Sequence, residues 1–134
     1  MGLEVERIGE HVFAGRNERG AEVRIGRKGQ ADVFSPAELL QIAAAGCAAV
    51  TAEDLVVRRT GEDAKFRVEV TADRNDAASE LDAIHVSFDL DLSSLDDDRR
   101  AALAVAVDRA IERLCTVSRT LKKGIPVTER FPAG

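Results

Sequence analysis

The 134-residue chain contains no Trp and no Tyr, and only one Met, three Pro, two His and two Cys. Aromatic residues amount to 4%, all of them Phe, so the rings on which single-stranded nucleic acid stacks are scarce. The net charge of -5 argues against a surface that tracks phosphates. No glycine-rich phosphate loop stands between a strand and a helix, and Gly26-Arg27-Lys28-Gly29 reads as a turn. His11, His85 and the two cysteines lack the close pair spacing of structural zinc sites, so no metal is expected. Ser118 has no His at a suggestive spacing, which leaves a serine hydrolase unsupported. The first residues, Met1 to Arg7, lack the pattern of a signal peptide. The longest uninterrupted apolar run, Ile42 to Val50, falls short of the ~20 residues of a membrane helix. The expectation is a cytoplasmic protein with no membrane and no nucleic-acid partner. In that compartment a disulfide is transient rather than a staple.

What is present suffices for a single domain spanning residues 1–134, with 45% apolar and 32% charged residues. Its core must be built from Ala, Val, Leu and Ile. Leu3 and Val5, then Ala21, Val23 and Ile25, alternate with charged residues, predicting two strands joined through a turn over residues 15–20. Ser35-Pro36-Ala37-Glu38 carries an N-cap, a first-turn Pro and a capping-box Glu, and starts a helix reaching about Arg59. The middle of this helix is apolar on all sides, which predicts burial. Phe66, Val68 and Val70, then Ile84, Val86, Phe88, Leu90 and Leu92, mark two antiparallel strands linked by a polar loop over 73–79. Ser94 to Asp98 caps a second helix with the apolar stripe Leu103, Val107, Ala110, Ile111 and Leu114. The acidic cluster Asp96-Asp97-Asp98 is read as a solvated helix start. Gly124 to Phe131 is predicted to be a final strand, near an edge because of Pro126.

The cysteines sit in patterned contexts. Cys47 lies inside the first helix among small side chains. Cys115 closes the second helix and opens Cys115-Thr116-Val117-Ser118. Two thiols brought together support reversible oxidation, one attacked and the other resolving.

The motifs Ser35-Pro36-Ala37-Glu38-Leu39-Leu40 … Gly46-Cys47 and Cys115-Thr116-Val117-Ser118, with the order of elements around them, resemble the OsmC/Ohr family of thiol-dependent hydroperoxide reductases over essentially the whole chain. The resemblance implies an α+β fold with antiparallel sheets wrapped around two central helices in an intertwined homodimer. An all-apolar helix in so small a domain fits this, since a second subunit covers it. The resemblance also implies that Cys47 is the peroxidatic thiol and Cys115 the resolving one. An external dithiol, such as a lipoyl group or thioredoxin, then reopens the disulfide, and no bound cofactor is needed. The activating cation of the family is an Arg in the N-terminal strand-turn region, here Arg19 or Arg16. Members acting on organic peroxides carry a Glu directly after the motif Pro. Here that position is Ala37, and Glu38, one residue on, is the candidate carboxylate. The alternative is a non-catalytic module on the same fold that senses redox state or binds a hydrophobic ligand.

Overall fold

A computed structural model describes residues 2–132. The protein is α+β, with two small antiparallel sheets and three helices. It divides into two compact units: the chain up to Ala43 together with Thr71–Ile84, and Ala44–Val70 together with the chain from His85 onward.

In the first unit, β1 (Glu4–Gly9), β2 (Val12–Arg16) and β3 (Glu22–Ile25) form an antiparallel meander in that order. The sequence predicts one hairpin here; the structure has an additional central strand. Val12-Phe13-Ala14-Gly15 is apolar or small throughout, so it shows none of the polar alternation by which a half-buried strand is read. Ala14 is accordingly fully buried. Gly15 has no side chain because a Cβ there would press on Val23 and Ile25, at 3.2 and 3.3 Å. The β2–β3 turn is fixed by Asn17, whose Oδ1 accepts the amides of Arg19 (2.9 Å) and Ala21 (3.0 Å).

Helix α1 (Pro36–Thr60) begins where the capping signals place it. The Ser35 amide donates to Glu38 Oε1 (2.8 Å) and the Glu38 amide to Ser35 Oγ (3.1 Å), a reciprocal capping box. In the second unit the helix buries the stripe Ala44, Ala45, Ala48, Ala52 and Val56. These positions share one face by their spacing of three to four residues. Burial all round is not what one chain shows: Ile42 is 43% and Val50 77% exposed. By length and composition alone α1 is able to cross a membrane, with a mean hydropathy of 1.5 over its best 18-residue window. The uninterrupted run counted in the sequence is shorter because Gln41 and Thr51 bound it. A core helix meets the same criterion.

Strands β4 (Phe66–Asn75) and β5 (Glu80–Leu90) pair as a hairpin, since a connection of residues 76–79 is too short for a parallel crossover. β4 runs three residues into the predicted polar loop, to Asn75, while β5 starts directly after it at Glu80 and ends at Leu90, short of the predicted Leu92, so that only 76–79 turn. Within the second unit Phe66 stacks on Phe88, ring centres 6.3 Å apart.

Helix α2 (Asp97–Leu114) starts at Asp96, whose Oδ1 accepts the Arg99 amide (2.8 Å). It ends at Cys115, which is also the N-cap of a further helix, α3 (Thr116–Lys123). The final strand predicted for Gly124 to Phe131 does not form: no ladder involves these residues among those described. A strand needs a partner edge, and none takes up this segment within one chain. Ile125, Val127 and Phe131 are 55%, 75% and 89% exposed.

Candidate redox site

Cys47 and Cys115 are both unoxidised thiols in the second unit. Helix α1 brings Cys47 into the unit alongside its alanine stripe, where the neighbouring small residues Ala44 and Ala48 allow close approach. Cys115 is placed by the break between α2 and α3 and is fully buried, whereas Cys47 is partly exposed. The thiols, 68 positions apart in sequence (115 − 47), hydrogen-bond to each other.

The two thiols are electrostatically unequal. Burial pushes Cys47 up, but hydrogen bonds from the backbone amide of Val117, the Cys115 thiol and the amide of Thr116 outweigh it and hold Cys47 below the ordinary thiol range. The two amides belong to the first turn of α3, where backbone N–H groups have no partner within the helix. Burial raises Cys115, and its hydrogen bond to Cys47 raises it further, while the Ser118 amide and, less strongly, the positive charge of Lys122 oppose both. The arrangement thus favours the thiolate at Cys47 over that at Cys115.

Thr51 lies one turn after Cys47 on α1, and its hydroxyl donates to the Cys47 carbonyl (2.7 Å). The amides of Thr116 and Val117 are groups at the sulfur that the sequence pattern does not announce.

The other sequence-predicted residues belong to the first unit. Arg16 is held by Glu6 (2.6 Å), Glu22 (2.9 Å) and Glu4 (3.6 Å), which fix its guanidinium firmly in the protonated form. Arg19 contributes its amide to the Asn17 turn. Glu38 is engaged in the capping box, and Ala37 beside it is half-buried. The cysteines are therefore the pair of predicted residues that the second unit brings together. Among the described residues no cluster of His, Cys, Asp and Glu could hold a metal ion.

The fold agrees with that of known relatives of the chain. Residues 29–130 match the family model described as OsmC-like protein, and the chain belongs to this family. An uncharacterized protein of Mycobacterium tuberculosis strain H37Rv is 42% identical over 127 residues, covering 93% of this chain and 91% of its own. Among solved structures, an OsmC like protein from Mycoplasma pneumoniae superposes with a TM-score of 0.66 at 17% identity, over 91% of this chain and 88% of that one. The organic hydroperoxide resistance protein OhrB of Bacillus subtilis gives 0.53 at 18% identity, over 90% of both. At these identities the two structures are similar to the chain in fold alone.

Proposed function

We propose that this protein is a cytoplasmic, homodimeric, thiol-dependent hydroperoxide reductase serving in oxidative stress defence. The observation that carries the reading is the hydrogen-bonded Cys47–Cys115 pair, with Cys47 held toward its thiolate by the α3 amides.

The cycle balances as follows. The Cys47 thiolate attacks the distal peroxide oxygen, the O–O bond breaks, and the alkoxide leaves to be protonated to an alcohol. Cys47 is now a sulfenic acid. The Cys115 thiol attacks that sulfur, forming the Cys47–Cys115 disulfide and releasing water. An external dithiol, such as a lipoyl group or thioredoxin, passes two electrons and two protons back and is itself oxidised to a disulfide. No bound cofactor enters. Within this cycle Arg19 or Arg16, with Glu38, is the candidate for polarising the peroxide.

The dimer is supported by the apolar surface a single chain leaves bare, Val50 on α1 and Val127 and Phe131 in the unpaired C-terminal segment. A second copy that covers α1 and offers an edge to residues 125–131 accounts for both.

Peroxide consumption under a dithiol reductant tests the activity, comparing cumene hydroperoxide with hydrogen peroxide. The reading expects turnover that disappears in Cys47→Ser. No turnover with either peroxide and any dithiol sinks it, and moves a non-catalytic redox-sensing or hydrophobic-ligand-binding role to the front.

A further inference from the structure

The break between α2 and α3 bends the chain around an open groove of about 720 Å³. That size lies within the roughly 300–1,000 Å³ of small-molecule sites. The last turn of α2 supplies Glu112, Arg113 and Leu114 to the wall. On α3, Thr116, Arg119, Thr120 and Lys123 recur at helical spacing along one face, with Lys122 beside them. Neither cysteine lines the groove, so its role is separate from the thiol chemistry proposed above.

Exposed cations at helix ends commonly answer the helix dipole. Two observations here go further. A solvated helix face usually mixes both signs, whereas α3 carries Arg119, Lys122 and Lys123 and no acid, in a chain whose net charge is -5. These charges are also uncommitted. Among the described residues Arg113, Lys122 and Lys123 form no ion pair, and the carboxylate of Glu112, the one acid of the lining, pairs with none of them. Arg119 is anchored on one side, where its Nη1 donates across the elbow to the Glu112 carbonyl (2.5 Å), one of the terminal carbonyls α2 leaves free. Four cations against one carboxylate leave the lining with a surplus of three positive charges.

A monovalent anion answers one of these charges, and a ligand with two phosphate groups answers them together. The lining has no aromatic ring on which a base could stack, and Leu114 is its one large apolar side chain. It does offer the hydroxyls of Thr116 and Thr120. We propose that the groove binds a small hydroxyl-bearing molecule with two phosphate groups, of the sugar bisphosphate class. Arg113 and Arg119 present planar forks to phosphate oxygens, and Lys122 and Lys123 act as point charges.

The test is calorimetric titration of the full chain with fructose 1,6-bisphosphate, pyrophosphate, orthophosphate and ADP. Saturable binding of one bisphosphate per chain is expected, tighter than orthophosphate, with ADP no tighter than pyrophosphate. The double variant Lys122→Gln with Lys123→Gln should weaken the bisphosphate about tenfold, the scale of two partly exposed charge contacts. Glu112→Gln should tighten it, because a carboxylate facing the anion is neutralised. Lys28→Gln, in the first unit, should leave it unchanged. No saturable binding of any probe overturns the proposal, and so does equal weakening by Lys28→Gln, which marks a general attraction to charge. ADP binding more tightly than the bisphosphate overturns the assigned ligand class. Poly-glutamate bound through Lys122 and Lys123, with no phosphate compound bound, overturns it in favour of an acidic protein partner.

Discussion

The thiol of Cys115 hydrogen-bonds to the thiol of Cys47, and the two residues following Cys115 turn their amides onto the same sulfur. One residue therefore does two things. In the proposed cycle Cys115 presents the resolving thiol, and as the N-cap of α3 it sets where the amides that favour the Cys47 thiolate begin. The reactive and resolving groups are positioned by a single break in the chain rather than by separate loops.

The first consequence concerns pH. Cys47 is held below the ordinary thiol range and Cys115 above it. As pH rises, Cys47 is thus expected to become alkylable first and Cys115 later. As pH falls through the lowered midpoint of Cys47, its thiolate and its reactivity are lost together. Timed iodoacetamide labelling across pH, with site assignment by mass spectrometry, measures the order. Because the thiols interact, the two midpoints belong to the pair, and single-cysteine variants separate them.

Removing one amide tests the role of α3. Thr116 is the first residue of the helix, where Pro is tolerated. Cys115 before it already has the extended backbone (φ -74°, ψ 94°) that a following Pro demands. Thr116→Pro should therefore keep the fold and delete one hydrogen bond to the thiolate. A bond to a charged group contributes roughly 1.5–3 kcal/mol, so the Cys47 midpoint should rise by about one pH unit or more. Circular dichroism should stay unchanged.

Helix α2 carries Cys115, and its start depends on Asp96. Asp96→Ala removes the acceptor of the Arg99 amide and should cost about 1 kcal/mol of stability. Urea unfolding reads this as a lower midpoint with an unchanged slope.

The dimer makes its own prediction. Val50 is 77% exposed on an otherwise apolar stretch of α1. Placing a charge there, Val50→Glu, buries an unpaired carboxylate if a second copy covers the helix. Sedimentation should show the wild type as a dimer and the variant shifted toward monomer. A wild type that sediments as a monomer removes the dimer from the account.

Much of this architecture was legible in local chemistry. Ser35, Pro36 and Glu38 fixed the start of α1 because all three signals act within one helical turn. Phe66, Val68 and Val70 marked β4 because only one face of that strand is half-buried. The short helix α3 was not read at all, and two further elements escaped for opposite reasons. The central strand β2 hid because Val12-Phe13-Ala14-Gly15 has no polar residue to alternate. The segment from Gly124 to Phe131 looked like a strand because its apolar residues are real, but a strand is a pairing and one chain provides no partner. At the site, the cysteines and their pairing followed from the family resemblance. The groups that tune them did not, because Thr116 and Val117 act through backbone amides, which any residue except Pro supplies.

The most direct test of the central claim is sulfenic acid trapping in Cys115→Ser, in which the resolving thiol is gone and oxidised Cys47 has no partner. The variant is treated with one equivalent of cumene hydroperoxide in the presence of dimedone and mapped by mass spectrometry. The account predicts a single adduct per chain, on Cys47, and in the wild type a Cys47–Cys115 disulfide with no adduct. An unmodified Cys47 in the variant would contradict it.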